Sequence, residues 1–103
     1  MEADIFELVQ EGKALNSKLF SRPKILILKA LEHLGEDGAI YRELKAALVL
    51  EDGILFSNLQ MLEEMEYIKS NKITLQDKKM TRYLITSEGK EALEALRAWL
   101  KKI

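Results

Sequence analysis

The chain has 103 residues, 48% of them hydrophobic and 32% charged, with a net charge of −1. This length suits one domain with a modest core and leaves no room for a separate catalytic domain. The chain has no Cys, and its one His is His33, so disulfides, thiolate metal sites, Cys nucleophiles and His-based zinc sites lack their usual residues. We therefore expect no metal site.

Other catalytic and targeting signals are also missing from the sequence. No spacing of Ser, His33 and Asp indicates a catalytic triad, and no glycine-rich phosphate loop occurs. We accordingly expect neither enzymatic activity nor a cofactor. The amino terminus is acidic and amphipathic, and no apolar run approaches the ~20 residues that span a bilayer. These features predict a soluble cytoplasmic protein without a membrane partner.

The first half of the chain predicts helices. Residues 3–15 place apolar side chains at helical spacing, which indicates an amphipathic helix. Ser21 can cap a second helix running from about residue 22 to 34, with Pro23 in its first turn and Gly35 after its end.

A short helix over residues 41–48 and a tight turn at 50–53 follow. A further helix then reaches about Glu66, with Asp52 as its N-cap, and its expected outward face includes Asn58.

The second half predicts a hairpin and one more helix. Residues 67–75 and 79–86 are rich in β-branched side chains and read as two strands joined at 76–78. Thr86 or Ser87 then caps a last helix with apolar residues at 3-4-3 spacing.

Charge is concentrated on this hairpin. Residues 69–82 contain five basic residues and one acidic residue, whereas residues 1–68 have a balance of −6. A local positive patch of this kind attracts polyanions.

Three segments carry a family resemblance: FSRPKILILKAL at residues 20–31, the helix-turn-helix pattern at 41–68, and YLITSEGKEAL at 83–93. In their order and spacing they resemble the small winged-helix transcriptional regulators related to the MarR and ArsR families, especially archaeal and bacterial members. The resemblance implies an α+β, mostly α, winged helix-turn-helix with a two-stranded wing. It also implies one domain, with an N-terminal helix in 1–18, a winged-helix core in 19–86 and a dimerisation helix in 87–103.

Duplex DNA is the partner that this resemblance and the basic hairpin favour. The second helix of the motif, residues 52–66, contains no Lys or Arg, although related proteins usually carry basic or polar residues there and Gly at the position of Glu66. Asn and Gln can still contact adenine, and Met can contact a thymine methyl. The predicted DNA contacts are Arg42, Lys45, Ser57, Asn58, Gln60, Met61, Lys72, Lys78, Lys79 and Arg82.

The apolar stripes of the terminal helices exceed what so small a core needs, which predicts a homodimer. The predicted interface is Ile5, Leu8, Val9, Leu15, Leu93, Leu96, Trp99, Leu100 and Ile103. The alternative is that both ends fold back on their own core.

Two functions remain open at this stage. The first is a homodimeric DNA-binding regulator anchored by its wing. The second is a protein interaction module that has lost sequence-specific DNA binding and uses the uncharged face around Phe56 and Met61.

Overall fold

The computed structural model describes residues 5–14 and 21–102, although the side chains of Leu8 and residues 11–14 are not described. In this part of the chain two helices, a short strand and two further helices precede a hairpin and a last helix. The bounds are α1 Ile5–Ala14, α2 Arg22–Leu34, a 3-10 turn Gly35–Asp37, β1 Ala39–Ile40, α3 Tyr41–Leu48, α4 Asp52–Glu64, β2 Ile68–Leu75, β3 Lys78–Ile85 and α5 Ser87–Leu100.

The strands form an antiparallel sheet in the order β1-β3-β2. The pairing of Leu75 with Lys78 leaves Gln76 and Asp77 as a two-residue turn. Both turn residues have positive φ, 50° and 64°, as a type I′ hairpin turn requires. The expected mostly helical winged helix-turn-helix is therefore confirmed, and the predicted two-stranded wing gains a short third strand, β1.

The core lies between α2, α3, α4, α5 and the base of the sheet. Its fully buried members are all aliphatic: Ile27, Leu28, Leu31, Leu44, Leu55, Leu59, Leu62 and Leu93. One face of α4 therefore packs against the core, and the opposite face is exposed to solvent. No helix in the described part of the chain is long and apolar enough to cross a membrane.

The structure agrees with the predicted helix caps of α2 and α5 and differs from the predicted cap of α4. Ser21 Oγ accepts from Lys24 N–H, which confirms the predicted cap of α2. Of the two candidates for the cap of α5, Thr86 is the cap, and its Oγ1 accepts from Gly89 N–H at 3.0 Å. The prediction of Asp52 as the N-cap of α4 is wrong, since Glu51 holds that position without a side-chain bond. The Asp52 carboxylate instead receives hydrogen bonds from Lys45 and Tyr41.

The base of the wing is tied to the end of α4 by Thr86. Its hydroxyl donates to the Glu66 carbonyl at 2.6 Å, and its N–H donates to the Tyr67 carbonyl at 3.0 Å. Glu66 has a φ of 63°, in the left-handed region where Gly is favoured. A Gly at this position would adopt the same conformation without steric strain.

Candidate nucleic-acid interface

The outward face of α4 carries neutral side chains, and the exposed Glu63 and Glu64 follow at the end of the helix. Phe56, Ser57, Gln60 and Met61 are exposed, and Phe56 is 53% accessible. Buried Leu55, Leu59 and Leu62 occupy the opposite side of the helix. The exposed side chains are therefore accessible to a partner.

Asn58 does not belong to that face. Its side chain is only 7% exposed, and its Nδ2 donates to the Ile54 carbonyl one turn earlier at 2.7 Å. The expectation that Asn58 points outward is wrong, because the helix turns this position toward the protein and its amide is satisfied locally. Gln60 is then the remaining α4 amide with an outward side chain.

Helix α3 contributes two basic residues, Arg42 in its first turn and Lys45 in its last turn, and their environments differ. Arg42 is exposed. Lys45 forms an ion pair with Asp52, with Nζ and Oδ2 2.9 Å apart. Hydrogen bonds from Lys45 and Tyr41 lower the pKa of Asp52 below its usual range. A phosphate contact by Lys45 would therefore compete with this pair, whereas Arg42 is better placed for one.

The wing presents basic side chains on both of its faces. By strand alternation, Lys72 and Lys79 share the face of Tyr83, whereas Lys78 and Arg82 lie on the other. Lys78 and Lys79 are exposed at the hairpin tip. Lys72 Nζ donates to Thr81 Oγ1 across the strands at 2.8 Å. Basic side chains therefore lie on both faces of the hairpin near its tip. A hairpin of this kind can lie along a groove of DNA and contact the phosphates on either side of it.

Arg82 is less accessible to solvent than we expected for a charged residue of the wing. The residue is half-buried, and its Nε is buried without an acceptor among the described residues. Contacts with DNA would thus rely on the outer end of its guanidinium group.

The cleft between α4 and the wing has a mixed character. A cavity of about 440 Å³ is lined by Gln60, Glu63 and Glu64 on one side and by Lys72 on the other. Burial, with the charge of Glu63 nearby, raises the pKa of Tyr83, which also lines this cavity. The carboxylates disfavour a phosphate in this cavity. Within residues 5–14 and 21–102, no three His, Asp or Glu residues cluster as metal ligands would.

The terminal helices divide into buried and exposed parts. Leu93 and Leu96 are 1% and 4% exposed, so their placement in an intermolecular interface is wrong: they pack in this chain's own core. Trp99 is half-buried, and Arg97 bridges the carboxylates of Glu32 and Glu94. The inward side of α5 is therefore already covered.

Of the predicted interface residues, Ile5, Val9 and Leu100 are exposed, at 77%, 48% and 51%, and they stay a prediction. Phe6, which was not in the predicted set, is also exposed, at 66%. The side chain of Leu8, and Leu15 and Ile103, lie outside the described residues.

Sequence reasoning missed the part of the surface where β1 ends. There Tyr41 and Thr81 line a cavity beside Phe56. A two-residue strand is too short to produce an alternating pattern, so no local signal pointed to it. The position of Thr81 opposite Lys72 follows from the register of the hairpin.

Comparison with known proteins finds one matching family model and solved structures with a similar fold. Residues 24–103 match the family model described as a winged helix DNA-binding domain. A PadR-like transcription factor from Bacteroides fragilis is similar in structure, with a TM-score of 0.64 and 18% identity over 79% of this chain and 84% of that one. A protein from Streptococcus mutans UA159 has a TM-score of 0.62 and 18% identity over 77% and 78%.

Among proteins with curated descriptions, none is similar enough in sequence to match this chain. At 18% identity the two structural likenesses concern the fold. The finer expectations of kinship with MarR and ArsR proteins and of an archaeal source stay predictions.

Proposed function

This chain belongs to the family of winged helix DNA-binding domains, and from that premise we propose that it is a homodimeric transcriptional regulator. Its basic wing anchors duplex DNA and the neutral face of α4 reads it. One observation carries the proposal: Lys78 and Lys79 stand exposed at the wing tip, on the same domain that presents Ser57, Gln60 and Met61 to solvent. The PadR-like neighbour is a transcription factor by name, which supports a regulatory role.

The wing is the proposed source of affinity. Lys and Arg that neutralise phosphates release condensed counterions, and this release supplies most nonspecific affinity. The helix α4 cannot supply it, since residues 52–66 contain no basic side chain. We therefore expect weak to moderate, strongly salt-dependent binding to generic duplex DNA. A mobility-shift series across salt concentrations measures it, and the absence of any complex at low salt would contradict the proposal.

Gln60 is the proposed reader of sequence. Its amide can pair with adenine, and removing such a base contact costs about 1–3 kcal/mol. In a selection from random duplexes we expect the wild-type protein to enrich a sequence. We expect Gln60→Ala to lose preference at one position while nonspecific affinity stays nearly unchanged. Gln10→Ala, on α1, is the matched control and should keep the preference.

The exposed apolar side of α1 supports the homodimer. Ile5, Phe6 and Val9 lie within one and a half turns of that helix, and a patch of this kind marks an interaction surface. We expect a dimer at tens of micromolar, a range ordinary for interface affinities, and monomer for the double variant Phe6→Glu, Val9→Glu. Sedimentation equilibrium measures both. A monomeric wild-type protein would remove this part of the proposal.

A second candidate function is a protein interaction module. The exposed aromatic ring of Phe56 beside Glu63 and Glu64 favours it, because an acidic, apolar helix face suits a protein better than DNA. In that case the selection would enrich no sequence, and Gln60→Ala would leave DNA behaviour unchanged.

A further inference from the structure

One carboxylate bridges the turn between α3 and α4. Asp52, the first residue of α4, accepts a hydrogen bond from Lys45 Nζ at 2.9 Å through Oδ2 and one from the Tyr41 hydroxyl at 3.1 Å through Oδ1. The same hydroxyl lies 3.1 Å from the Asp52 carbonyl oxygen. Both donors belong to α3, so this carboxylate joins the two helices of the helix-turn-helix.

Lys45 lies on the same side of α3 as Arg42. The two residues are about one turn apart, a spacing at which side chains on a helix are neighbours. The side chain of Lys45 is 47% exposed and that of Asp52 is 66% exposed, so a partner can reach the ion pair. Without Asp52 two adjacent cations would face a phosphate, whereas with Asp52 one of them is neutralised.

The exposure of the pair decides where its effect should be found. Exposed ion pairs contribute little to folding, because water screens their charges and ordering two side chains costs entropy. A phosphate that approaches Lys45 also meets the carboxylate of Asp52, and the two negative groups compete for one ammonium group. The effect of the pair is therefore expected in the binding of a polyanion rather than in the stability of the fold.

We propose that Asp52 lowers the affinity of this domain for duplex DNA by holding Lys45 in an ion pair that a DNA phosphate must break. This role rests on the proposed DNA-binding function, in which Lys45 is a predicted phosphate contact. Because phosphates do not distinguish one base pair from another, Asp52 should lower affinity equally on all duplexes. The alternative is that Asp52 only fastens the turn, through Lys45 and Tyr41, and has no effect on DNA binding.

The variant Asp52→Asn separates these two roles. Asn keeps a side-chain oxygen that can accept from Tyr41, but it carries no charge. We expect the full chain with this change to bind generic duplex DNA about fivefold more tightly at low salt, the upper end of what an exposed ion pair contributes. The slope of log affinity against log salt should steepen by about 0.9 for each Lys45 that gains a phosphate contact. Mobility shifts across a salt series measure both, and wild-type affinity and slope would overturn the proposal.

Two controls show whether the gain acts through Lys45. Glu51 is exposed at the N-cap of α4 and makes no side-chain capping bond, so Glu51→Gln removes the same charge one position away and should leave affinity nearly unchanged. Equal gains for Glu51→Gln and Asp52→Asn would show a diffuse charge effect and contradict the proposal. In a Lys45→Gln background, Asp52→Asn should bring almost no gain, because the cation that it releases is absent. A full gain in that background would also contradict the proposal.

A measurement without DNA tests the pair itself. The hydrogen bond to Asp52 raises the pKa of Lys45 above its usual range. A nuclear magnetic resonance titration of the Lys45 side chain should therefore give a lower pKa in Asp52→Asn than in the wild-type protein. An equal pKa would mean that the pair does not form in solution, and it would overturn this role of Asp52 whatever the DNA experiments show.

The two measurements together distinguish failure of this role from failure of the proposed function. If the pair forms and both proteins bind DNA equally well, the role of Asp52 alone is wrong. If the pair forms and neither protein binds duplex DNA at low salt, the proposed DNA-binding function is wrong, and the role of Asp52 fails with it.

Discussion

Replacing Lys78, Lys79 and Arg82 with Ala is expected to lower DNA affinity strongly at low salt and to flatten its salt dependence. Removing one phosphate interaction reduces the slope of log affinity against log salt by about 0.9 on B-DNA. The loss of affinity should be the same for all duplex sequences, because contacts with phosphates do not distinguish one base pair from another. Mobility shifts at several salt concentrations measure both quantities.

The control for this variant removes the same charge elsewhere. Arg22, Lys90 and Lys101 are exposed and lie on α2, within α5 and at its end, so their replacement by Ala should leave the slope nearly unchanged. Because the Nε of Arg82 is buried, the double variant Lys78→Ala, Lys79→Ala tests the wing without touching its packing. An unchanged slope in this double variant would show that the wing is not the anchor.

Gly89→Ala is expected to destabilise the fold by about 1–3 kcal/mol, the usual cost of overpacking. A Cβ at this position would collide with the Tyr67 carbonyl oxygen and approach Ile85 Cγ1 at 2.8 Å. The carbonyl cannot move freely, because it accepts from the Thr86 N–H that ties the wing to α4. In a domain of this size the melting temperature should fall by about 4–8 °C per kcal/mol.

Gly53→Ala is the matched control. Gly53 lies in the first turn of α4, and a Cβ there meets nothing within 4 Å. Since Ala is a better helix former than Gly by up to about 1 kcal/mol, this variant should be unchanged or more stable. Thermal unfolding of both variants makes the comparison. A Gly89→Ala protein as stable as wild type would mean that the first turn of α5 does not pack as closely as the structure has it.

The helices with strong local signals could be predicted closely. The Ser21 cap with Pro23 indicated the start of α2, and the spacing of Leu55, Leu59 and Leu62 indicated the buried side of α4. Both signals act within one or two turns, so neighbouring residues contain all the information. The basic hairpin was also evident, because its charge and its strands are contiguous in the sequence.

The candidate site was only partly predictable. Asn58 lies next to outward residues in the sequence, and only the packing of α4 decides that its amide turns inward toward the Ile54 carbonyl. Leu96 has the same spacing as an interface residue, yet it is buried within its own chain. For a residue at the boundary of a buried stripe, the sequence pattern cannot show whether its side chain is buried or exposed. A small rotation of the helix is enough to move it from one side of the boundary to the other.

The sequence by itself determined the order of the helices and of the two wing strands, the buried stripes of the helices and the position of the basic wing. These features follow from local propensity and periodicity. Only the tertiary structure decided that β1 pairs with Tyr83 and Arg82 and that Lys45 is held by Asp52. Each of these depends on residues distant in the sequence being brought together, and a two-residue strand or a single ion pair leaves no periodic signal from which it can be inferred.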